Sequence, residues 1–322
     1  MTQRRELAIA ATYVLLLLVL AAAAPAFFQP AHLRDLLVGA SPLLLAAVGM
    51  TLVILARQID ISIGSQFAIC AVVAGLLAKQ GLPMPIAGAG AVGAGALLGA
   101  VNGLLVAGLG LPAIVVTLAM MVGLRETLRW TTAGVWVREL PDGFQWMGLG
   151  QELGRIAIPA LALAVWAIAT IGLRHLAGGR AIYATGSDAE FARLAGIRPR
   201  RVVFWVFVAM GALTGLAALV SAIQFIDVQT NSGIGFELRV IAAVVVGGTA
   251  IAGGRGSLVG TLLGVLLLAT AGPALVFLGT EAYWDRALQG LIILVAVAAD
   301  AFPPSPAASA RQAPAARRGA RT

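Results

Sequence analysis

Apolar residues fall in long uncharged runs along this chain, and the charged residues gather in the gaps between them. The runs cover 7–31, 36–56, 61–78, 80–124, 156–173, 202–226, 240–254, 256–280 and 287–299. A backbone in lipid must satisfy its own hydrogen bonds, so each run predicts a helix. A span takes roughly 20 residues. The run 80–124 therefore predicts two helices, with the break at Gly108-Leu-Gly-Leu-Pro112, where glycine and proline are poor helix formers. The expected fold is all-α and polytopic, with about ten transmembrane helices. The runs 240–254 and 287–299 are short and predict tilted spans or borrowed polar flanks.

Composition removes a soluble reading: 60% of residues are apolar, 11% are charged and the mean hydropathy is +0.96. Charge then sets the orientation. With the N-terminus inside and the spans alternating, fourteen of the 22 basic residues fall on the inner side. Lys and Arg counts decide such orientations, so the N- and C-termini are expected in the cytoplasm. Trp130, Trp136, Trp146, Tyr283 and Trp284 then lie at the outer interface, where amphipathic rings are favoured. The basic pI reflects these arginines and anionic lipid rather than nucleic acid. Cys70 is the only cysteine and lies inside a run, so no intrachain disulfide forms. Arg4-Arg5, the first run and Ala24-Pro25-Ala26 imitate a signal peptide, but the run of 25 residues exceeds a usual signal core. An uncleaved first helix is expected.

Residues 1–302 form the transmembrane domain, and the Pro-, Ala- and Arg-rich stretch 303–322 predicts a disordered cytoplasmic tail. Two loops are long enough to carry function. The outer one, 130–155, mixes aromatics and paired charges and predicts a structured cap; the inner one is 174–201. Gly95-Ala-Leu-Leu-Gly99 recurs as Gly260-Thr-Leu-Leu-Gly264 five spans later, which predicts a five-helix inverted repeat. Small-xxx-small spacing also serves close helix packing, which is the plainer role of these glycines.

The inner loop carries the best local signal. Ser187 and Glu190 form an S-x-x-E capping box, and Asp188 and Glu190 suit the positive end of a helix dipole. Gly196 can take the left-handed position after the last turn, and Pro199 forbids continuation. A helix of about two turns follows, with Phe191 and Leu194 on one face and Arg193 nearby. So short a helix is marginal alone, so it lies on the membrane surface or docks into a partner protein.

Within the spans, Asp60 and Ser62 are suited to cap the third helix, with Arg57 placed to pair with Asp60; an intramembrane carboxylate is also a functional candidate. With Asp60 and Ser62, the residues Asn102, Thr117, Ser221 and Gln224 could line a path for a hydrophilic solute; the uncharged ones could instead bond between helices. Arg125 and Glu126 are expected to snorkel toward outer water. His32 and His175 fall on opposite sides, so no shared metal is expected, and no catalytic pair lies at one depth. A phosphate loop of the G-x-x-x-x-G-K-[ST] kind is absent, and Gly253-Gly-Arg-Gly256 reads as a tight inner turn.

Four segments taken together carry a resemblance. ARQIDISIGS at 56–65, GRAIYATGSDAEFARLAGIRPRRV at 179–202, IGFELRVIAAVVVGGTAIAGGRGSLVGTLLG at 234–264 and YWDRALQGLIILVAVAAD at 283–300 resemble, in order, the bacterial sugar ABC importer permeases of the ribose, xylose and arabinose type. Within that family WTTAGVWVRELPDGF and FIDVQTNSGIGFE look most like permeases for autoinducer-2 or rhamnose. Arg239 and Gln58 depart from the family pattern.

The resemblance implies a permease paired with a second permease subunit, identical or related, in the bacterial inner membrane. It implies two cytoplasmic ABC ATPases carrying ATP-Mg and a periplasmic sugar-binding protein, with no cofactor on this chain. Ser187, Asp188, Glu190, Phe191, Arg193, Leu194 and Gly196 would form the ATPase-coupling helix, and Asn231 and Glu237 would help dock the binding protein. An ion-coupled secondary transporter is the alternative; Asp60 is its one candidate coupling group.

Overall fold

The computed structural model describes residues 2–280 together with 284, 287, 290, 291 and 294, and among these there is no β-strand. The tail 303–322 and most of the run 287–299 lie outside the described residues. Helices α1 (Thr2–Ala23), α2 (Pro30–Leu55), α4 (Met84–Gly103, extended by a π turn to Gly108), α6 (Gln151–His175), α9 (Pro199–Ala222) and α11 (Leu258–Phe277) are the six long and apolar enough to cross a membrane. Helix α3 (Ile63–Lys79) is apolar but shorter, and α5 (Ala113–Thr132) follows the Gly110–Pro112 break as expected. The run 240–254 does not make a full span: α10 covers only Phe236–Val246. Gly247 and Gly248, the latter at φ +84°, end it.

Proline sets several of these starts. Pro30 and Pro199 occupy first-turn positions, where the missing N–H is no loss. Ser257 caps α11, its hydroxyl accepting from the Gly260 N–H at 3.0 Å.

The helix ends sort onto two faces. On the face holding the start of α1, the Ser257 hydroxyl donates to the Glu6 carboxylate, and the Gly254 N–H donates to the Leu55 carbonyl at 3.0 Å. On the opposite face, Lys79 pairs with Glu139 at 3.2 Å, Arg155 with Asp35 at 3.3 Å, and Phe27 packs edge-on to Phe277. Residues 133–150, between α5 and α6, fold against this face. Val137 and Val228 exchange backbone hydrogen bonds at 3.0 Å, Phe144 is buried, and the Trp146 N–H donates to Ile223 at 2.8 Å.

Helix α2 is the core. It is buried along most of its length and touches α6, α9, α10 and α11. Thr51 and Thr261 share a buried hydrogen bond of 2.8 Å across α2 and α11. Lipid tails are as apolar as leucine, so helices in a membrane gain by close backbone approach. The α4–α9 contact uses this: Gly95 lies on the Gly211 carbonyl and Gly211 on the Gly95 carbonyl, leaving no room for a methyl group on either.

Candidate functional site

Three places hold the candidate residues. The first is the face carrying the start of α1. Helix α6 ends at His175, and the chain turns into α7 (Ala177–Ser187) and α8 (Ala189–Leu194). The structure corrects the expected capping box. Ser187 is still helical, its successor Asp188 giving its N–H to Ala184 at 3.1 Å. The backbone first leaves the helical region at Asp188 (φ −159°, ψ 108°), so Asp188 is the cap. Its Oδ1 accepts the N–H groups of Glu190 and Phe191 at 2.9 and 3.0 Å. Glu190 pairs instead with Arg193. The far end is as expected: Gly196 sits at φ +81°, the Ile197 N–H reaches Ala192 and the Gly196 N–H reaches Arg193, both at 3.0 Å. Phe191 and Leu194 are each 74% exposed.

This hairpin is fastened to the core at several points. Gly186 lies directly on the Leu55 carbonyl oxygen. The Tyr183 hydroxyl donates to the Gly256 carbonyl at 2.9 Å. Burial raises the Tyr183 pKa above the usual range; Arg174 nearby pulls it down and Glu6 pushes it up, so the phenol remains a donor. Trp166 of α6 donates to Leu258 at 2.7 Å. The turn 250–257 thereby joins α1, α2 and α7 to the start of α11, which α6 holds through Trp166.

The second place is a buried polar knot at the entrance to α3. Asp60, Ser62, Gln66 and Asn102 are all fully buried. Asp60 Oδ1 accepts from the Ser62 N–H at 2.9 Å and hydroxyl at 2.6 Å, and Oδ2 accepts from the Gln66 and Asn102 amides at 3.3 Å. The two amides also donate to Ser62 Oγ at 2.7 and 2.8 Å. Here too the structure corrects expectation. Neither Asp60 nor Ser62 caps α3 through its side chain, because both are turned into the knot toward α4. Arg57 makes no ion pair with Asp60 among the described residues; it is exposed, at φ +61°, beside Gly253. Thr117 Oγ1 reaches the Ile59 carbonyl at 3.4 Å, which ties α5 to the same segment.

The third place is where the first turns of α3 meet the irregular segment before α10 and the start of α10. Gly64 and Gly233 lie backbone against backbone, and the Glu237 carboxylate packs on Gly64. The rings of Phe67 and Phe236 stand 4.6 Å apart. Arg125 does not snorkel outward. It donates to the Ser232 carbonyl at 2.8 Å and sits within the field of Glu237. Glu237 also accepts the Gly235 N–H at 3.2 Å, whereas Asn231 is exposed. Ser221 faces an adjoining cavity, and Gln224, just past the end of α9, spends its amide on the Val220 carbonyl in that helix at 2.8 Å. Asp60, Ser62 and Asn102 are thus one unit, while Ser221 and Gln224 stand apart from it.

Residues 33–297 match the family described as branched-chain amino acid transport system / permease component. The chain belongs to that permease family. Among curated relatives, the ribose import permease protein RbsC of Escherichia coli strain K12 is 36% identical over 292 residues, 89% of this chain and 91% of the relative. The autoinducer 2 import system permease protein LsrC of Enterobacter sp. strain 638 is 35% identical over 295 residues, 91% and 85% of the two chains. Its counterpart in Escherichia coli strain K12 / DH10B is 36% identical over 258 residues, 80% and 75%. No solved structure matches the chain.

Sequence reasoning missed several residues that make these contacts. Gln66 lies one helical turn after Ser62, so an i, i+4 reading from Ser62 finds it. Glu6, Tyr183 and Trp166 carry no local signal, because their partners are backbone and side-chain atoms tens of residues away in sequence.

Proposed function

We propose that this chain is the membrane-spanning subunit of an ATP-driven importer of a small carbohydrate, passing substrate from a periplasmic binding protein to the cytoplasm. The observation that carries the reading is α8. A six-residue helix has little stability of its own, yet this one is capped at both ends, fastened to the core through α7, and presents Phe191 and Leu194 outward beside a salt-bridged Glu190–Arg193 pair. A rigid apolar knob of this kind suits a groove in a partner. Its setting among Arg180, Arg198, Arg200 and Arg201 supports the cytoplasmic side for this face and for the N-terminus. An ABC ATPase hydrolysing ATP-Mg is the partner, and Asp188, Phe191, Arg193, Leu194 and Gly196 are the coupling residues, with Ser187 and Glu190 supporting them.

The permease works with a second permease copy or a related chain. Packing supports an inverted repeat, since α3 packs on α9 as α10 packs on α2, and α4 on α9 as α11 on α2. The two glycine motifs are not used alike, however: Gly95 faces α9, whereas Gly260 faces α10. The final helix completes a ten-span fold in this reading, with domain limits 1–302. Asn231 is offered as a docking residue for the binding protein and Ser221 as a path residue. Asp60, Ser62, Asn102 and Thr117 are assigned to holding the entrance of α3. Glu237 is assigned to the contact of α10 and the segment before it with the start of α3. The ion-coupled alternative is not favoured, because Asp60 already accepts four hydrogen bonds from fixed donors.

Coexpression with the adjacent genes tests the proposal. A copurifying ATPase, stimulated by sugar-loaded binding protein, is the expected result. A chain that purifies alone and moves solute down an ion gradient overturns it.

A further inference from the structure

We infer that the start of α9 holds an anionic phospholipid of the adjoining leaflet, its phosphate against Arg198, Arg200 and Arg201 and its acyl chains along Trp205 and Leu104. This needs only that the helices span a membrane, and it holds whatever the chain transports. All three arginines are exposed, and none has an ion pair or side-chain hydrogen bond among the described residues. The described acids of that face are already engaged. Glu190 pairs with Arg193, Asp188 caps α8, Glu6 accepts from Ser257 and Asp60 is buried in its knot. Three cations within four residues are therefore left for an anion from outside the chain.

Position decides which anion. Arg201 and Trp205 are four residues apart and share one face of α9. Trp205 is 64% exposed on an otherwise apolar stretch of helix, so this face looks onto lipid. The two residues are separated by about 6 Å along the axis, which sets the guanidinium at phosphate depth when the indole lies at the glycerol esters. Tryptophan favours that layer, where its N–H finds ester carbonyls. Arg200 and Phe204 are likewise four apart, and the Phe204 backbone lies against Gly103 at the end of α4. Leu104, the next residue, is 59% exposed, so the apolar strip continues from α9 onto α4.

Arg57 supplies the contrast. It is exposed on the same face, but it stands just past the end of α2, which other helices bury along most of its length. Lipid does not reach that centre, whereas Arg201 lies at the rim. An acidic protein would approach from the aqueous side; the phosphate plane of the leaflet is already beside Arg201, on the side that Trp205 faces. A zwitterionic headgroup brings an ammonium that three guanidinium groups repel, so a headgroup of net negative charge is favoured. Because α8 leads into α9 through Gly196–Arg198, a lipid held here also braces that end of the short helix.

Native mass spectrometry of the full-length chain tests the site, after incubation in detergent with equal amounts of dioleoyl phosphatidylglycerol and dioleoyl phosphatidylcholine. Phosphatidylglycerol adducts should exceed phosphatidylcholine adducts several-fold and survive excess inorganic phosphate. Equal adducts of the two lipids overturn the site, and displacement by phosphate reduces it to a bare anion contact and overturns the lipid. This comparison uses the unaltered protein, so a variant that fails to insert does not shield the inference. Arg198→Gln with Arg201→Gln should remove most of the preference. Arg57→Gln with Arg255→Gln takes the same charge from the same face, beside the end of α2, and should leave the preference intact. Equal loss in both pairs means that only the field of the whole face acts, and overturns the site. Trp205→Ala changes no charge and should still lower the phosphatidylglycerol bound; full retention overturns the placement along α9.

Discussion

Gly186, next to last in α7, lies against the carbonyl oxygen of Leu55, the last residue of α2, with no space for a side chain between them. The same oxygen accepts the Gly254 N–H at 3.0 Å. One backbone atom of the central helix therefore holds both the helical hairpin and the turn before α11. Motion imposed on α8 from outside can reach α2 directly through this contact, beside the path through α9, which packs on both.

Gly186→Ala should force α7 away from α2 and uncouple the two. ATP hydrolysis should persist while sugar moved per ATP falls by an order of magnitude. Gly178→Ala, in the same helix with open space around it, serves as the control and should match the wild type. Parallel uptake and hydrolysis assays in proteoliposomes check this. Equal coupling in both variants would remove the role of the contact.

Asp188→Ala should weaken α8 by about 1 kcal/mol, the usual cost of losing an N-cap. Less ATPase should copurify, and Asp188→Ser should restore most of it because a serine hydroxyl can accept the same N–H groups. Ser187→Ala should have the smaller effect, since Ser187 is not the cap. Quantitative pull-down distinguishes the three.

Asp60→Ala leaves the Ser62 N–H and hydroxyl without their acceptor inside the bundle, while the Gln66 and Asn102 amides keep only Ser62 Oγ. Each buried unsatisfied group costs about 1–3 kcal/mol, so the purified permease should melt at a lower temperature and accumulate poorly. Asp60→Asn keeps an acceptor oxygen and should be milder. Sugar preference should be the same in whatever protein survives. Thermal melts in detergent, followed by size exclusion, measure the order; an altered preference at normal abundance would falsify the structural assignment.

Arg125→Met removes the guanidinium that holds the Ser232 carbonyl at 2.8 Å. Segment 229–235 should then exchange backbone hydrogens faster, with α5 itself unaffected. Hydrogen-exchange mass spectrometry reads both segments in one experiment. Unchanged exchange at 229–235 would mean that the Gly64–Gly233 packing suffices.

The helices, their breaks and the short inner helix were legible because each depends on neighbours in sequence. Proline at a first turn, glycine after a last turn and an uncharged run act locally. Even so, the cap fell on Asp188 rather than Ser187. Both residues suit the position, and the choice rested on how far α7 extends, which is settled by its packing on Leu55 and the turn 250–257. Asp60 shows the same limit. Its spacing to the start of α3 suits a cap, but Asn102 on α4 draws the carboxylate inward. Arg125 carried an ordinary snorkelling signal, yet a carbonyl from a loop 107 residues later was within its reach.

By itself the sequence determined a helical, many-span membrane chain, the face on which its arginines gather, and a short capped helix on that face. Hydropathy and charge act through solvent, which every residue meets regardless of fold. Only the tertiary structure decided which polar groups share a knot, which backbone atoms touch, and where a cavity is left. Those depend on close approach between segments far apart in the chain. Local preference carries no information about such distances, because the same serine, aspartate or glycine serves equally well in several of them.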